Sequence, residues 1–448
     1  MFLTSLLLVA CDPAPVVIEP PRVSPGSSPA DLVLVLENGL RADLGAPGAD
    51  AAFAAGLGRA PLLRYDAACA QSVHPFLSMG SLLTGRYPSA IPLCSIPGGP
   101  DVKAAPWCAS FPEAAPTLPE VFSIYGYRTA LAITTPHLRE HASLVGEFPD
   151  LIEAASLSAL VDASLAWWTG AAGSPRLLVV VDDLAESLRT TGPRAPPGQE
   201  ATLSPALVAA YNTAAGERGV HIGKLLAGVE PHAGGREVWS FVGSAHGVSL
   251  SETSGTPSLP LQSVQHDIVL ERTIHVPLRV FGPASAWTGG GEPPLVISDV
   301  HELVDLLPTF AHLGRVMPPA DLAGKDLFLE DPNAGERGCY AEFGDMLAVR
   351  SRQYLLLARF WAHGGTALDP EMTRKLQERP NPGSTFLLHD VAADPMQEHN
   401  LVTERQDVAA AHYEQLLQLR TGPGSPPAGG LTREQVEALR ASGALSYF

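Results

Sequence analysis

The sequence predicts an α/β fold with a central, mostly parallel sheet flanked by helices, and a small C-terminal antiparallel α+β part. Three observations carry this prediction. Residues 31–36 (DLVLVL), 177–181 (LLVVV) and 238–242 (VWSFV) are continuous apolar runs of strand length, the pattern of parallel strands covered on both faces. Segments with helical spacing lie between them, notably 157–168 and 205–226. After Leu329 the pattern changes to short strands at 339–343, 347–350, 354–357 and 385–390, as in a small antiparallel sheet. The expected division is 1–10 signal segment, 11–30 tether, 31–328 α/β core, 329–420 C-terminal part, and 421–448 linker with a terminal helix.

The chain opens with an apolar run ending in Leu8-Val9-Ala10-Cys11. The run is too short to span a bilayer, and its end resembles a bacterial lipobox. That resemblance implies cleavage before Cys11, a lipid on Cys11, and a place at the cell envelope. Residues 12–30 are rich in Pro and Ser and suit an extended tether. No other run reaches transmembrane length. The formal net charge of −18 in 448 residues argues against nucleic acid or a polyanionic surface as the main partner. An exported chain can form disulfides. Besides Cys11 there are Cys69, Cys94, Cys108 and Cys339, of which Cys94 and Cys108 share one loop and are the expected pair. No Cys/His spacing of a zinc site is present.

The remaining elements follow in order. Residues 71–88 (QSVHPFLSMGSLLTGRYP) predict a loop turning into a helix, with Pro75 in its first turn and Gly85 as its left-handed stop. The N-terminus of such a helix is a natural seat for an anion. Residues 116–122 open another helix and 127–133 form a strand, with His137 just beyond it. Asp182 and Asp183 end the strand at 177–181, where a solvated pair is expected. Ser204 and Pro205 start a long helix whose buried face runs through Leu207, Tyr211, Ala215, Ile222, Leu225 and Leu226. Asp299 and Glu302 predict a capping box for a helix over 300–313, kinked at Pro308 and stopped at Gly314. Residues 408–419 form a closing helix, and Thr432 caps a last short one.

The segment Ser81-Leu-Leu-Thr-Gly-Arg-Tyr-Pro88 resembles the end of the sulfatase signature, which closes on Leu-Leu-Thr-Gly-Arg. Counting back, the position of the Cys or Ser nucleophile falls at Pro75, and the following motif positions at Leu77, Ser78 and Met79. Glu37-Asn38-Gly39-Leu40-Arg41-Ala42-Asp43 resembles the first sulfatase motif, with Asn38, or with a one-residue gap Glu37, at the metal-binding Asp. Gly243-Ser244-Ala245-His246-Gly247 stands where sulfatases carry Ser-Asp-His-Gly, so Ala245 replaces a second ligand and His246 keeps its neighbour's place. His137 matches the His of a Lys-x-His pair that contacts sulfate, and His266 matches a position facing the anion pocket. The segments at 298–309 and 388–401 also resemble the family.

The resemblance runs from about Asp31 to Leu419 and implies an alkaline-phosphatase-like sandwich. It implies catalytic positions at His137, His246 and His266, ligand-binding positions at Arg86 and His74, and metal positions at Glu37, Asn38 and His246. A working sulfatase needs a nucleophile and a divalent cation, calcium or magnesium. Proline has no atom to attack with, and Asn38 with Ala245 is a poor set for a hard cation. Two readings follow. In one, the chain is a sulfatase-like lipoprotein without the classical hydrolysis, binding an unknown ligand or protein partner and needing no cofactor. In the other, it is a sulfate- or phosphate-ester hydrolase rebuilt around Ser72, Ser78 or His74, with Glu37, Asp182 or Asp183 on a divalent cation.

Overall fold

The structure is a computed structural model. It describes residues 28–42, 48–91, 94–95, 107–108, 115–134, 146–191, 205–232, 235–250, 269–286, 294–329, 337–343, 346–359 and 386–421. In chain order, the first half contains β1 (Asp31–Asn38), α1 (Ala49–Gly56), β2 (Leu63–Cys69), α2 (Pro75–Thr84), β3 (Cys94–Ser95) and β4 (Trp107–Cys108). There follow α3 (Leu118–Ile124), β5 (Arg128–Ile133), β6 (Asp150–Glu153), α4 (Leu157–Gly170), β7 (Arg176–Asp183) and α5 (Leu184–Thr191). The second half contains α6 (Pro205–Val229), β8 (Val238–Gly243), α7 (Glu271–Ile274), β9 (Leu278–Phe281), β10 (Leu295–Glu302) and α8 (Leu306–Gly314). It ends with β11 (Cys339–Phe343), β12 (Met346–Arg350), β13 (Tyr354–Arg359), β14 (Phe386–Asp390) and α9 (Gln406–Thr421).

The main sheet has eight strands in the order β10-β2-β9-β8-β1-β7-β5-β6. All its pairings are parallel except those of β9, which runs against β2 and β8. The fold class expected from the sequence is therefore the one observed. β1 is central and buried throughout. Alternation sends its side chains to opposite faces. Leu32, Leu34 and Leu36 pack with Phe76, Phe122 and Phe310 of α2, α3 and α8. Val33 and Val35 pack with Phe53, Trp168, Tyr211 and Ile222 of α1, α4 and α6. The second sheet is antiparallel, in the order β11-β12-β13-β14, with Tyr413 and Leu416 of α9 in its core.

Helix α6 lies tightly against α1 because small residues face it. A Cβ at Gly219 would stand 2.2 Å from the Phe53 carbonyl oxygen, a distance no side chain tolerates. This close approach fixes where the neighbouring Arg218 can reach.

Two expectations need correction. Residues 300–302 are the end of β10, not the start of a helix. The capping box is formed one turn later, with the Glu302 N–H donating to Asp305 Oδ2 at 2.9 Å, and Pro308 falls in the first turn of α8, where no kink arises. The left-handed residue after α8 is Arg315, with φ 52°, rather than Gly314. The disulfide in the structure joins Cys69 to Cys339, with Cα atoms 6.5 Å apart, tying the end of β2 to the start of β11. Cys94 and Cys108 are register partners across the β3–β4 ladder. The expected signal, the tether up to residue 27 and the terminal helix lie outside the described residues.

Candidate functional site

The end of β1 is the centre of the site. Asn38 shares the face of Leu32, Leu34 and Leu36, and Glu37 shares the face of Val33 and Val35. The two residues that the sequence offers for one metal position thus point to opposite sides of the sheet.

On the Asn38 face, α2 approaches with its N-terminus. His74 is the N-cap residue in extended conformation and Pro75 opens the helix, where its missing N–H costs nothing. One turn on, the buried Ser78 hydroxyl donates to the Ala245 carbonyl at 2.5 Å. The Ala245 N–H donates to Asn38 Oδ1 at 3.3 Å. The positions aligned with nucleophile and metal ligands are therefore joined in one chain of contacts, α2 to Ala245 to Asn38. Asn38 is fully buried, and its Nδ2 finds no hydrogen-bond partner among the described residues. His246, also fully buried, holds Nδ1 against the Gly247 carbonyl at 2.7 Å. A carbonyl only accepts, so Nδ1 carries the proton. Burial, together with the nearby His74 and against the pull of the Gly247 carbonyl, lowers the His246 pKa to about 4. The imidazole is neutral at pH 7. The His74 ring stacks on Phe343 with centroids 6.2 Å apart.

The Glu37 face differs in chemistry. Glu37 and Asp182 are register partners on β1 and β7, both buried. Arg218 from α6 sets its Nε 3.1 Å from Glu37 Oε1 and 3.0 Å from Asp182 Oδ2. Its Nη1 donates to the Ala214 carbonyl at 3.3 Å, and the Thr134 hydroxyl donates to the other oxygen of Asp182. Burial, then the charge of Asp182, raises the Glu37 pKa well above the usual carboxylate range, against the pull of Arg218. Burial works to lower the Arg218 pKa, but Glu37 and Asp182 outweigh it and raise it. Asp182, expected as a solvated strand end, is instead 6% exposed and ion-paired.

Several sequence-derived positions do not join the site. Arg86 lies past the far end of α2, about 15 Å along the helix from Pro75 at 1.5 Å per residue, where it donates to the Ala320 carbonyl at 3.3 Å. The Ser72 hydroxyl accepts from the His74 N–H at 3.3 Å, so among the described residues neither Ser72 nor Ser78 is hydrogen-bonded to a side-chain base. His137 and His266 lie outside the described residues. Arg218 was absent from the expected site, yet its signal was present. The buried spacing Tyr211, Ala215, Ile222 puts position 218 on the same helix stripe, and a lone arginine on a buried stripe calls for an acidic partner.

A divalent cation fits this geometry poorly. Among the described residues no three His, Cys, Asp or Glu side chains are grouped as a metal set. Glu37 and Asn38 cannot reach one ion from opposite faces, and the carboxylates of Glu37 and Asp182 are already engaged by a guanidinium.

The sequence matches no protein-family model and no curated protein. Solved structures are similar to the fold across most of the chain. A 2-O GAG sulfatase superposes with TM-score 0.60 at 15% identity, covering 88% of this chain and 92% of that one. The phosphonate monoester hydrolase of Silicibacter pomeroyi gives 0.59 at 15% identity, covering 88% and 95%. That of Agrobacterium radiobacter gives 0.53 at 15% identity, covering 87% and 95%.

Proposed function

We propose that this chain, which has the alkaline-phosphatase-like fold of the sulfatases, is a sulfatase-like protein that binds at the ancestral pocket without hydrolysing sulfuric esters. The observation that carries the reading is Pro75 at the first position of α2, one turn from the Ser78–Ala245–Asn38 contacts. The residue type at the nucleophile position has no hydroxyl or thiol, so no covalent or metal-activated attack can start there. What stands beside Pro75 on that face is the Asn38 amide, whose Nδ2 finds no hydrogen-bond partner among the described residues, with the neutral His246 imidazole close by. Such a face suits a ligand held by polar contacts rather than one activated for cleavage.

Export with a lipid on Cys11, and so a place at the cell envelope, belongs to the same proposal. The Cys69–Cys339 disulfide supports it, since such bonds persist in oxidising compartments. The strong negative charge supports the absence of nucleic acid as a partner.

The test is a turnover assay of the full chain with an aryl sulfate, a phosphate monoester and a phosphonate monoester, each with calcium and with magnesium. No product above the buffer rate is expected. Saturable turnover of any of the three would overturn the reading. Metabolic palmitate labelling of the expressed chain, lost in Cys11→Ser, is expected from the anchor; a chain that takes up no label removes that part of the proposal.

A further inference from the structure

We infer that Arg218 is the resident cation of the Glu37–Asp182 pair, and that removing its guanidinium turns the pair into a divalent-cation site. The inference rests on geometry. Parallel register sets Glu37 beside Asp182 on adjacent strands, so both carboxylates leave the sheet on the same face, with strands about 4.8 Å apart. One small cation between them satisfies both. The guanidinium takes that place, with a single nitrogen 3.1 Å and 3.0 Å from the two carboxylates.

Its reach is built into the fold. Tyr211, two helical turns earlier, donates to the Gly39 carbonyl at 2.6 Å and accepts from the Arg41 N–H at 3.0 Å, which pins α6 over the end of β1. Gly219 lets α6 sit against the α1 backbone. The Thr134 hydroxyl on Asp182 supplies a further oxygen close by, whereas Asp183, the register partner of Asn38, belongs to the other face. Calcium takes six to eight oxygens, magnesium six, so an emptied cleft of this kind has a hard-ligand character and no soft one. Among the described residues the Glu37 carboxylate meets positive charge only through Arg218.

The consequence is specific. The native chain has no use for metal on this face, because a side chain delivers the positive charge. This goes beyond the proposed loss of hydrolysis, although both concern the end of β1, and the experiment separates them by reading binding rather than turnover.

The experiment follows thermal unfolding of wild type, Arg218→Lys and Arg218→Ala in chelator, in calcium alone and in magnesium alone. Wild type and Arg218→Lys are expected to keep the same midpoint in all three. Arg218→Ala is expected to start lower and to gain several degrees with calcium. Should Arg218→Ala fold too poorly to melt, the readout is the yield of folded chain refolded in calcium against chelator, and a higher yield in calcium is expected. An Arg218→Ala chain that no cation stabilises or rescues overturns the inference. So does stoichiometric metal in native mass spectra of the wild type, a result that would leave the turnover question untouched.

Discussion

The two faces of β1 at its carboxyl end handle buried polar groups in opposite ways. On the Asn38 face the contacts are between neutral groups, an amide, an alanine backbone, a serine hydroxyl and a neutral imidazole, with Asp183 as the acidic register partner of Asn38. On the Glu37 face the charges persist but are closed by a partner from within the chain. Both arrangements are buried, and both avoid an uncompensated ion, which is the costly state in a low-dielectric interior. The difference teaches that the first face is held by neutral hydrogen bonds, whereas the second is closed by a buried ion pair. Breaking the second should therefore hurt folding far more than trimming the first.

The largest effect is expected from Arg218→Met. The long apolar side chain keeps most of the packing of the stem but leaves two buried carboxylates facing each other, and loss of one partner of a buried pair costs about 3–5 kcal/mol. The pH dependence has a definite sign. Glu37 is raised above its unfolded value, so the folded state holds a proton that the unfolded state has released. Stability from this group is present below the unfolded value of 4.5 and falls as pH rises towards the folded one. Without Arg218 the folded value moves higher still, so the fall is expected to continue to higher pH, and adding Glu37→Gln is expected to recover part of the loss at neutral pH. Chemical denaturation of the single and double variants at acid and neutral pH checks both statements. Equal stability of Arg218→Met and wild type would break the comparison.

The next effect belongs to the neutral face. The His246 pKa lies at about 4 against 6.5 for an ordinary histidine, so on acidification the unfolded chain binds this proton first. The contribution of this group is level above pH 6.5 and falls as pH drops towards 4, by on the order of 3 kcal/mol at about 1.4 kcal/mol per pH unit. His301 is lowered to about 4 as well, mainly by burial, and shares the window. The comparison is therefore between wild type and His246→Gln, whose stability is expected to fall less between neutral pH and pH 4.5. Parallel acid profiles would remove the neutral imidazole from the description of this face.

The sheet was largely legible in the sequence because its central strands are covered on both sides and so must be apolar without interruption, as at 31–36, 177–181 and 238–242. Strands with alternating or interrupted patterns were not. β2 carries the exposed Arg64 between the buried Leu63 and Tyr65, and β10 bulges between Ile297 and Val300, so its Asp299–Glu302 pair imitated a helix cap. The Cys69–Cys339 bond spans 270 residues, a distance over which spacing carries no information. On the site, order along the chain sufficed to bring Asn38, Ala245 and α2 together. It misplaced Arg86, because Arg86 closes a motif whose opening residue sits a full helix away. It also treated Glu37 and Asn38 as interchangeable, although a one-residue shift along a strand reverses the face. Arg218 went unseen because its partners lie 181 and 36 residues away in sequence.

The smallest effect sharpens the comparison most. Ser78→Ala removes the hydroxyl that joins α2 to the Ala245 carbonyl, and one neutral hydrogen bond is worth about 1 kcal/mol. The Ala245 carbonyl stays buried, so the loss is expected at that size rather than at zero. What matters is how it combines with Arg218→Met. The two side chains lie on opposite sides of β1 and share no partner, and such pairs add to within about 0.5 kcal/mol. Denaturation of Ser78→Ala, Arg218→Met and the double variant completes the cycle. Additive losses mean that the polar face and the ion-paired face are held independently by one strand. A coupling well above that limit would mean that β1 transmits strain between them.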